Sequence, residues 1–237
     1  MRIIGVAIPG GAELFNTVLA HGEDPHHVVS QHGLTLTRPL SATLTDGQIV
    51  LTVQVAPTPV AGCPPRRPPN VDGGLTVAPG ERLQVHQRIA AYALVLTDRG
   101  LLATEFSDRT HVPGHWGLPG GGVDPGEAPE DTIARELWEE TGQHVTAAEL
   151  LDVQSDHWVG RSPRGRLEDF HAVRLLYRGT CTDPTEPVVH DTGGTTADAR
   201  WWPANRWRQV TWTGSFQALL HRHLPAVLAA EVSRGSS

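Results

Sequence analysis

Lysine is absent from this chain; all 19 basic residues are arginine. The bias is read mainly as one of coding, although guanidinium groups also grip phosphate well. Cysteine is nearly absent too. Cys63 and Cys181 stand far apart and not at metal-ligand spacing, which excludes a disulfide framework and makes a reducing cytoplasm the expected location. No apolar run approaches the length that spans a bilayer. The opening run Met1–Ile8 is cut off by Pro9 and Glu13, too short for a secretory leader, and reads as a buried first strand. Positive charge is in deficit. A formal net charge of −7 and a pI near 6.0 argue against a general nucleic-acid binder or a partner for anionic membranes.

What is present suffices for a core. Of 237 residues, 39% are hydrophobic and 19% charged, which indicates a folded protein of one large or two ordinary domains. Residues 1–55 look β-rich, with Val/Ile/Leu/Thr runs at Arg2–Ile8, Leu14–Ala20, Leu34–Thr37 and Ile49–Val55 between turn signals such as Asp46-Gly47. None of the seven tryptophans lies there. His21, His26, His27 and His32 cluster loosely, and without a tight ligand pattern a surface loop is the simpler reading. Residues 56–80 read as a semi-rigid linker, because seven prolines fall between Pro57 and Pro79.

Residues 81–230 form the larger expected domain, followed by a flexible tail at 231–237. Ile89–Thr97 reads as a buried strand, turned at Asp98-Arg99-Gly100 into a second strand, Leu101–Phe106. Further strands are expected at Thr146–Val153, Phe170–Tyr177 and Ala199–Trp202, with a loop at Gly160–Arg166 and a terminal helix at Ser215–Ala230. Strands around helices without a regular βαβ repeat suit an α/β fold with a mixed sheet.

The chemistry is concentrated at 120–142. A Gly-Gly-Gly loop precedes a helix with Pro129 in its first turn, Glu130 and Asp131 at its positive end and Gly142 just past its last turn. At roughly 100° per residue, Ile133, Ala134, Leu137 and Trp138 share an apolar arc, and Glu136, Glu139 and Glu140 fall together opposite it. A solvated acidic face is the bland alternative. Two features weigh against it: like charges at these spacings destabilise a helix, and a plain surface helix needs no glycine loop. Clustered hard oxygens suit Mg²⁺ or Mn²⁺, held by carboxylates together with substrate phosphates.

Gly121, Glu127, Arg135-Glu136-Leu137, Glu139-Glu140 and Gly142, at these spacings, resemble the Nudix box, and Trp116-Gly117-Leu118-Pro119-Gly120 resembles the strand leading into it. One position departs, since Gln143 stands where the family has a bulky aliphatic residue. The resemblance, over about residues 86 to 228, implies a Nudix-type α/β/α sandwich with a mixed sheet. It also implies a metal-dependent pyrophosphohydrolase acting on a nucleoside diphosphate linked to another group. By the same resemblance Glu136, Glu139, Glu140 and the Gly120 carbonyl are metal ligands, Glu139 is also catalytic, and Glu127 and Arg135 orient the carboxylates. A general base outside the box has five candidates: Glu168, Asp169, Glu186, Asp191 and Asp198.

Arg88, Trp116, Arg164 and Arg166 are candidate substrate contacts, with Arg161 on the same loop as the last two. The phosphate-gripping role competes evenly with a solvated basic loop, and tryptophan packs in cores more often than it stacks ligands. None of the secondary marks of the family's ADP-ribose, dinucleoside-polyphosphate, coenzyme-A or NADH branches is present, so a small-molecule nucleotide is the expected substrate class and its identity is open. The competing function is a non-catalytic nucleotide sensor signalling through residues 1–55, which are also a candidate homodimerisation or partner module.

Overall fold

The computed structural model describes residues 1–58, 66–162 and 165–235, and side chains as far as Glu231. Two compact units divide the chain. The first is Met1–Ala91 with Gly122–Pro129 and Glu149–Leu176; the second is Tyr92–Gly121 with Glu130–Ala148 and Tyr177–Ser237.

The first unit begins with β1 (Arg2–Val6), β2 (Glu13–Val18), α1 (Pro25–Gln31), β3 (Leu34–Thr45) and β4 (Gln48–Pro57). Their sheet has the order β2-β1-β4-β3, with β1 parallel to β4 and antiparallel to β2. Ile3, Leu51, Val53 and Val55 are buried on these strands and Val28 and Val29 on the helix, which is the apolar supply this small sheet needs. The Asp46-Gly47 turn takes positive φ at both residues and closes a hairpin from Thr45 to Gln48, as such a pair should.

Two expectations fail here. β3 is a 12-residue strand rather than the short Leu34–Thr37 run, because its polar residues alternate with half-buried ones on an edge strand. Part of the histidine loop is α1. Asp24 caps it by accepting the His26 N–H at 2.7 Å, and Pro25 occupies its first turn.

Within the stretch read as a linker, β5 (Asn70–Val71) pairs in parallel with Trp158 and Val159. The Asp72 carboxylate accepts from the Trp158 indole at 2.7 Å and the Arg161 amide at 3.2 Å. Arg161 forks onto Glu81 at 2.7 and 2.9 Å. The proline-rich centre around Cys63 lies outside the described residues.

The remaining elements are β6 (Gln84–Thr97), β7 (Gly100–Phe106), β8 (Trp116–Gly117), β9 (Gly120–Gly122), α2 (Pro129–Thr141), β10 (Thr146–Arg161), β11 (Leu167–Thr180), β12 (Thr196–Trp202), a 3-10 turn at Ala204–Gln209 and α3 (Gly214–Gly235). The strand order is β12-β7-β6-β11-β10-β5, with β8 on β7 and β9 on β6. The fold is therefore α/β with a mixed sheet. The expected β6–β7 turn is present, Thr97 pairing with Gly100.

β10 runs eight residues past its expected end at Val153. The polar run Gln154-Ser155-Asp156-His157 masked it, and these side chains stay in a strand because Ser155, Asp156 and His157 find partners in His171, Arg174 and Asp169. α3 is likewise longer than expected and contains Pro225. Among the described residues, no helix is long and apolar enough to cross a membrane.

The second unit buries Leu94, Leu101, Leu102, Leu219 and Leu220, and α2 contributes Ile133 and Leu137, both fully buried. Replacing Leu137 by Ala should cost about 2–5 kcal/mol of unfolding free energy, measured by urea denaturation. A loss within error of zero would show that α2 is not seated on this core.

Candidate metal centre

α2 carries the carboxylates, and its buried side is not the one its periodicity suggests. Ile133 and Leu137 are buried, but Ala134 is exposed and Trp138 is 42% exposed. Trp138 is flanked instead by the imidazoles of His144 and His190 at centroid distances of 4.7 and 4.6 Å. Thr132, Glu140 and Thr141 fill the buried side. The physical reason is angular: Glu140 lies only about 20° around the helix from Ile133, so whatever covers Ile133 covers Glu140 as well.

A carboxylate taken out of water needs partners, and Glu140 has two. Its Oε2 accepts the Gly120 N–H at 3.0 Å and its Oε1 accepts the Thr196 hydroxyl at 2.5 Å. Burial nevertheless dominates and pushes its pKa up to about 7; the two hydrogen bonds pull the other way, and the carboxylates of Glu136 and Asp191 push it further up. The group is thus poised between acid and carboxylate near neutrality.

Glu136 lies against the glycine loop. A Cβ on Gly121 would fall 2.6 Å from Glu136 Oε2, inside contact distance, so the glycine leaves this carboxylate room against the backbone. Arg135 Nη1 donates to Glu136 Oε1 at 2.9 Å and to Glu139 Oε2 at 3.3 Å, holding two like charges on one guanidinium. The structure therefore brings Gly120, Arg135, Glu136, Glu139 and Glu140 into one neighbourhood. The set fits a hard divalent cation on three observations: the donors are oxygens, one carboxylate is buried against its own desolvation cost, and the backbone is cleared beside another.

The C-terminal end of α2 is tied down by a later segment. The amides of His190 and Asp191 donate to the Glu139 carbonyl at 2.8 and 3.0 Å, and the Val188 amide to the Thr141 carbonyl at 2.9 Å. These bonds use carbonyls that a helix end otherwise leaves unpaired. Gly142, at φ 66°, makes the turn out of the helix. Gln143 has a purpose in this lacing. It is 1% exposed; its Nε2 donates to the Thr141 carbonyl at 3.1 Å and the Thr185 hydroxyl at 3.0 Å, and its Oε1 accepts the Thr185 amide at 2.9 Å. An aliphatic residue here would leave the Thr185 amide without that acceptor.

Of the five acidic candidates outside the helix, Asp191 is the one whose charge reaches Glu140. A Cβ on Gly194 would run into the Asp191 carboxylate, so the loop closes tightly around that group. Glu186 makes a long exposed ion pair with Arg99 at 3.8 Å, Asp198 pairs with Arg200 at 2.7 Å, and Asp169 is engaged by two histidines. Thr196 and Gln143 were not identified from the sequence as partners of this site. Nothing local marks them, because each acts 42 or more residues from its partner.

The other candidates are placed as follows. Trp116 is 7% exposed, edge-on to Trp202 at 5.1 Å with the Arg200 guanidinium 5.6 Å over its ring, so its faces are spent on packing. Arg88 and Glu127 lie in the first unit and line a cavity of about 300 Å³. A Cβ on Gly122 would overlap the Arg88 guanidinium. The Glu127 carboxylate accepts the Asp124 amide at 3.1 Å. Arg166 is exposed, and Arg164 lies outside the described residues.

A glycine strand leading into a helix whose carboxylates gather beside it is the arrangement of a Nudix domain, and the family model for the NUDIX domain matches residues 86–220. The chain belongs to the Nudix family of hydrolases. It is 37% identical over 133 residues to an RNA pyrophosphohydrolase of Rhodopseudomonas palustris (strain BisB18), covering 51% of this chain and 69% of that protein. It is 31% identical over 96 residues to the nucleoside triphosphatase NudI of Salmonella arizonae, covering 39% of this chain and 68% of that protein. The solved structure of a MutT protein from Methanosarcina mazei Go1 matches with a TM-score of 0.45 and 21% identity, over 60% of this chain and 95% of that one. The family match begins at residue 86, so the sheet β2-β1-β4-β3 lies outside it.

Two measurements follow. Gln143→Leu should lower stability by about 1 kcal/mol, the net worth of the hydrogen bonds it loses to Thr141 and Thr185, read by denaturant titration; an unchanged midpoint would mean these contacts contribute nothing. Glu140, with a folded pKa near 7 against 4.5 unfolded, contributes stability that is fully present below about 4.5 and lost as the pH rises through 7. In metal-free protein, Glu140→Gln should therefore remove a fall in stability on the order of 3 kcal/mol across that window. Parallel pH profiles for the two proteins would show that Glu140 does not titrate there.

Proposed function

We propose that the chain is a divalent-metal-dependent pyrophosphohydrolase that splits a nucleoside diphosphate linked to another group. The observation that carries this reading is Glu140, a buried carboxylate held by Gly120 and Thr196 whose ionisation is opposed by the neighbouring charge of Glu136. A bound Mg²⁺ or Mn²⁺ supplies charge neutralisation on phosphate oxygens and acidifies an attacking water. Glu136, Glu139 and Glu140, with the Gly120 carbonyl, would hold that ion. Arg135 keeps Glu136 and Glu139 oriented towards one another's neighbourhood. Asp191 is our choice as the proton acceptor outside the helix, since it is the outlying carboxylate that acts on Glu140. Glu127 serves as a positioning residue at the start of the helix.

The first unit carries a cavity of its own. It is lined by Met1, Leu44, Ile49, Arg88, Ile89 and the loop Val123–Glu127, with a volume of about 300 Å³. That is at the low end for small-molecule sites, and Arg88 offers it a planar donor fork for phosphate. The relatives are named an RNA pyrophosphohydrolase and a nucleoside triphosphatase, and the acidic net charge favours a free nucleotide over RNA.

Wild type and Glu140→Gln assayed with Mg²⁺ on nucleoside triphosphates, sugar- and dinucleoside-linked diphosphates and 5′-triphosphorylated RNA should differ by at least ~10²-fold on the preferred substrate. Product analysis should show cleavage between two phosphorus atoms. Equal rates in the two proteins would sink the assignment. No turnover by wild type, together with stabilisation by a nucleotide in the absence of metal, would favour a sensor instead.

A further inference from the structure

Within the first unit, away from the carboxylates of α2 along the chain, three side chains from three elements converge on one point. His21 comes from the loop after β2, His157 from β10 and Asp169 from β11, strands adjacent in the sheet order. His21 Nε2 lies 2.7 Å and His157 Nε2 2.5 Å from the same oxygen, Asp169 Oδ1. Among the described residues this is the trio of His, Cys, Asp or Glu whose ligand atoms all fall within 4.8 Å of one another.

The convergence is built rather than incidental. Gly22, at φ 70°, brings the His21 loop onto β10; a Cβ there would come within 2.6 Å of His157 Cε1. Arg66 donates to the carbonyls of His21 at 3.0 Å and Gly22 at 3.3 Å, pinning the loop from outside. A neighbouring histidine shows what a purely structural imidazole looks like in the same cluster. His171 has both ring nitrogens matched, one to Ser155 at 2.8 Å and one to Gln87 at 3.1 Å. His21 and His157 instead leave Nδ1 buried and unpartnered, and turn Nε2 on a single carboxylate oxygen.

We infer that His21, His157 and Asp169 form a second metal site, specific for a borderline divalent ion of the zinc type. Two imidazoles and a carboxylate, with a fourth position open, match the donor set such ions take. Bonds of about 2.0–2.1 Å at tetrahedral angles place ligand atoms about 3.4 Å apart, so entry of the ion opens the present contacts by less than about 1 Å. The fourth ligand is water. A cavity of about 30 Å³ lined in part by Gly22, Asp24, Ser155 and His157 adjoins the trio, room for about one water molecule. The ion would fasten the His21 loop of the N-terminal sheet to β10 and β11, a cross-link between segments 136 or more residues apart in the chain.

The test is Co²⁺ titration of chelator-stripped full-length protein, followed by visible absorption, for wild type, Glu136→Gln, His21→Gln and Asp169→Asn. One equivalent should give the intense ligand-field bands of a four-coordinate ion, displaced by Zn²⁺. Glu136→Gln should leave them unchanged, and His21→Gln should weaken binding at least ~10-fold. His21 stands on a loop, so its variant carries the test even if Asp169→Asn fails to fold, which far-UV circular dichroism will show. Absence of the bands, their loss in Glu136→Gln, or their persistence at equal affinity in His21→Gln would each overturn the proposal.

Discussion

Burial of the Glu140 carboxylate is the constraint around which the second unit is arranged. Desolvating a carboxylate is unfavourable unless hydrogen bonds and a counter-charge compensate, and here the protein supplies the hydrogen bonds and leaves the charge uncompensated. Gly120 gives a backbone N–H and Thr196 a hydroxyl, while Glu136 and Asp191 add charge of the same sign. Such a group gives up its proton only near neutrality, well above the usual carboxylate range. The lacing of segment 185–191 onto the end of α2 follows from the same requirement, because it brings Asp191 and the route towards Thr196 to the helix that carries Glu140.

The glutamate helix was legible in the sequence because its information is local. Glycine spacing, Pro129, Gly142 and the three- and four-residue offsets all act within one turn or two. Its orientation was not legible. Periodicity placed Trp138 inside and the glutamates outside, yet Trp138 lies between two histidines and Glu140 is buried. A polar residue next to the apolar arc cannot be told from a solvated one until its partner is known, and Thr196 lies 56 residues away. Gln143 shows the same limit: as a pattern it is a departure, and only the Thr185 contact gives it a reason.

In the first unit local signals compete with one another. Asp24-Pro25 is a cap followed by a first-turn proline, sufficient to announce α1, but the histidines after it suggested a loop. Those histidines separate in the structure. His26 and His27 lie on α1, His32 stacks on Phe15 at 4.2 Å, and His21 turns to residues of β10 and β11. No sequence window joins position 21 to positions 157 and 169. The polar interior of β10 concealed both the strand and the cluster, since residues that pair across a sheet look, one strand at a time, like a loop.

The two ligand sets proposed differ in kind as well as in place. The α2 set is all oxygen, with one member that titrates near neutrality, and favours a hard ion that retains water and engages phosphate. The His21 set has two nitrogen donors and a single carboxylate, which discriminates towards softer ions that bind more tightly and exchange less readily. Selectivity between them does not require either site to exclude the other's ion sterically, because donor chemistry sorts the ions. Under the two proposals, a chain holding Mg²⁺ loosely at one point and a zinc-type ion firmly at another would need donor sets that differ in this way, all oxygen against mixed nitrogen and oxygen.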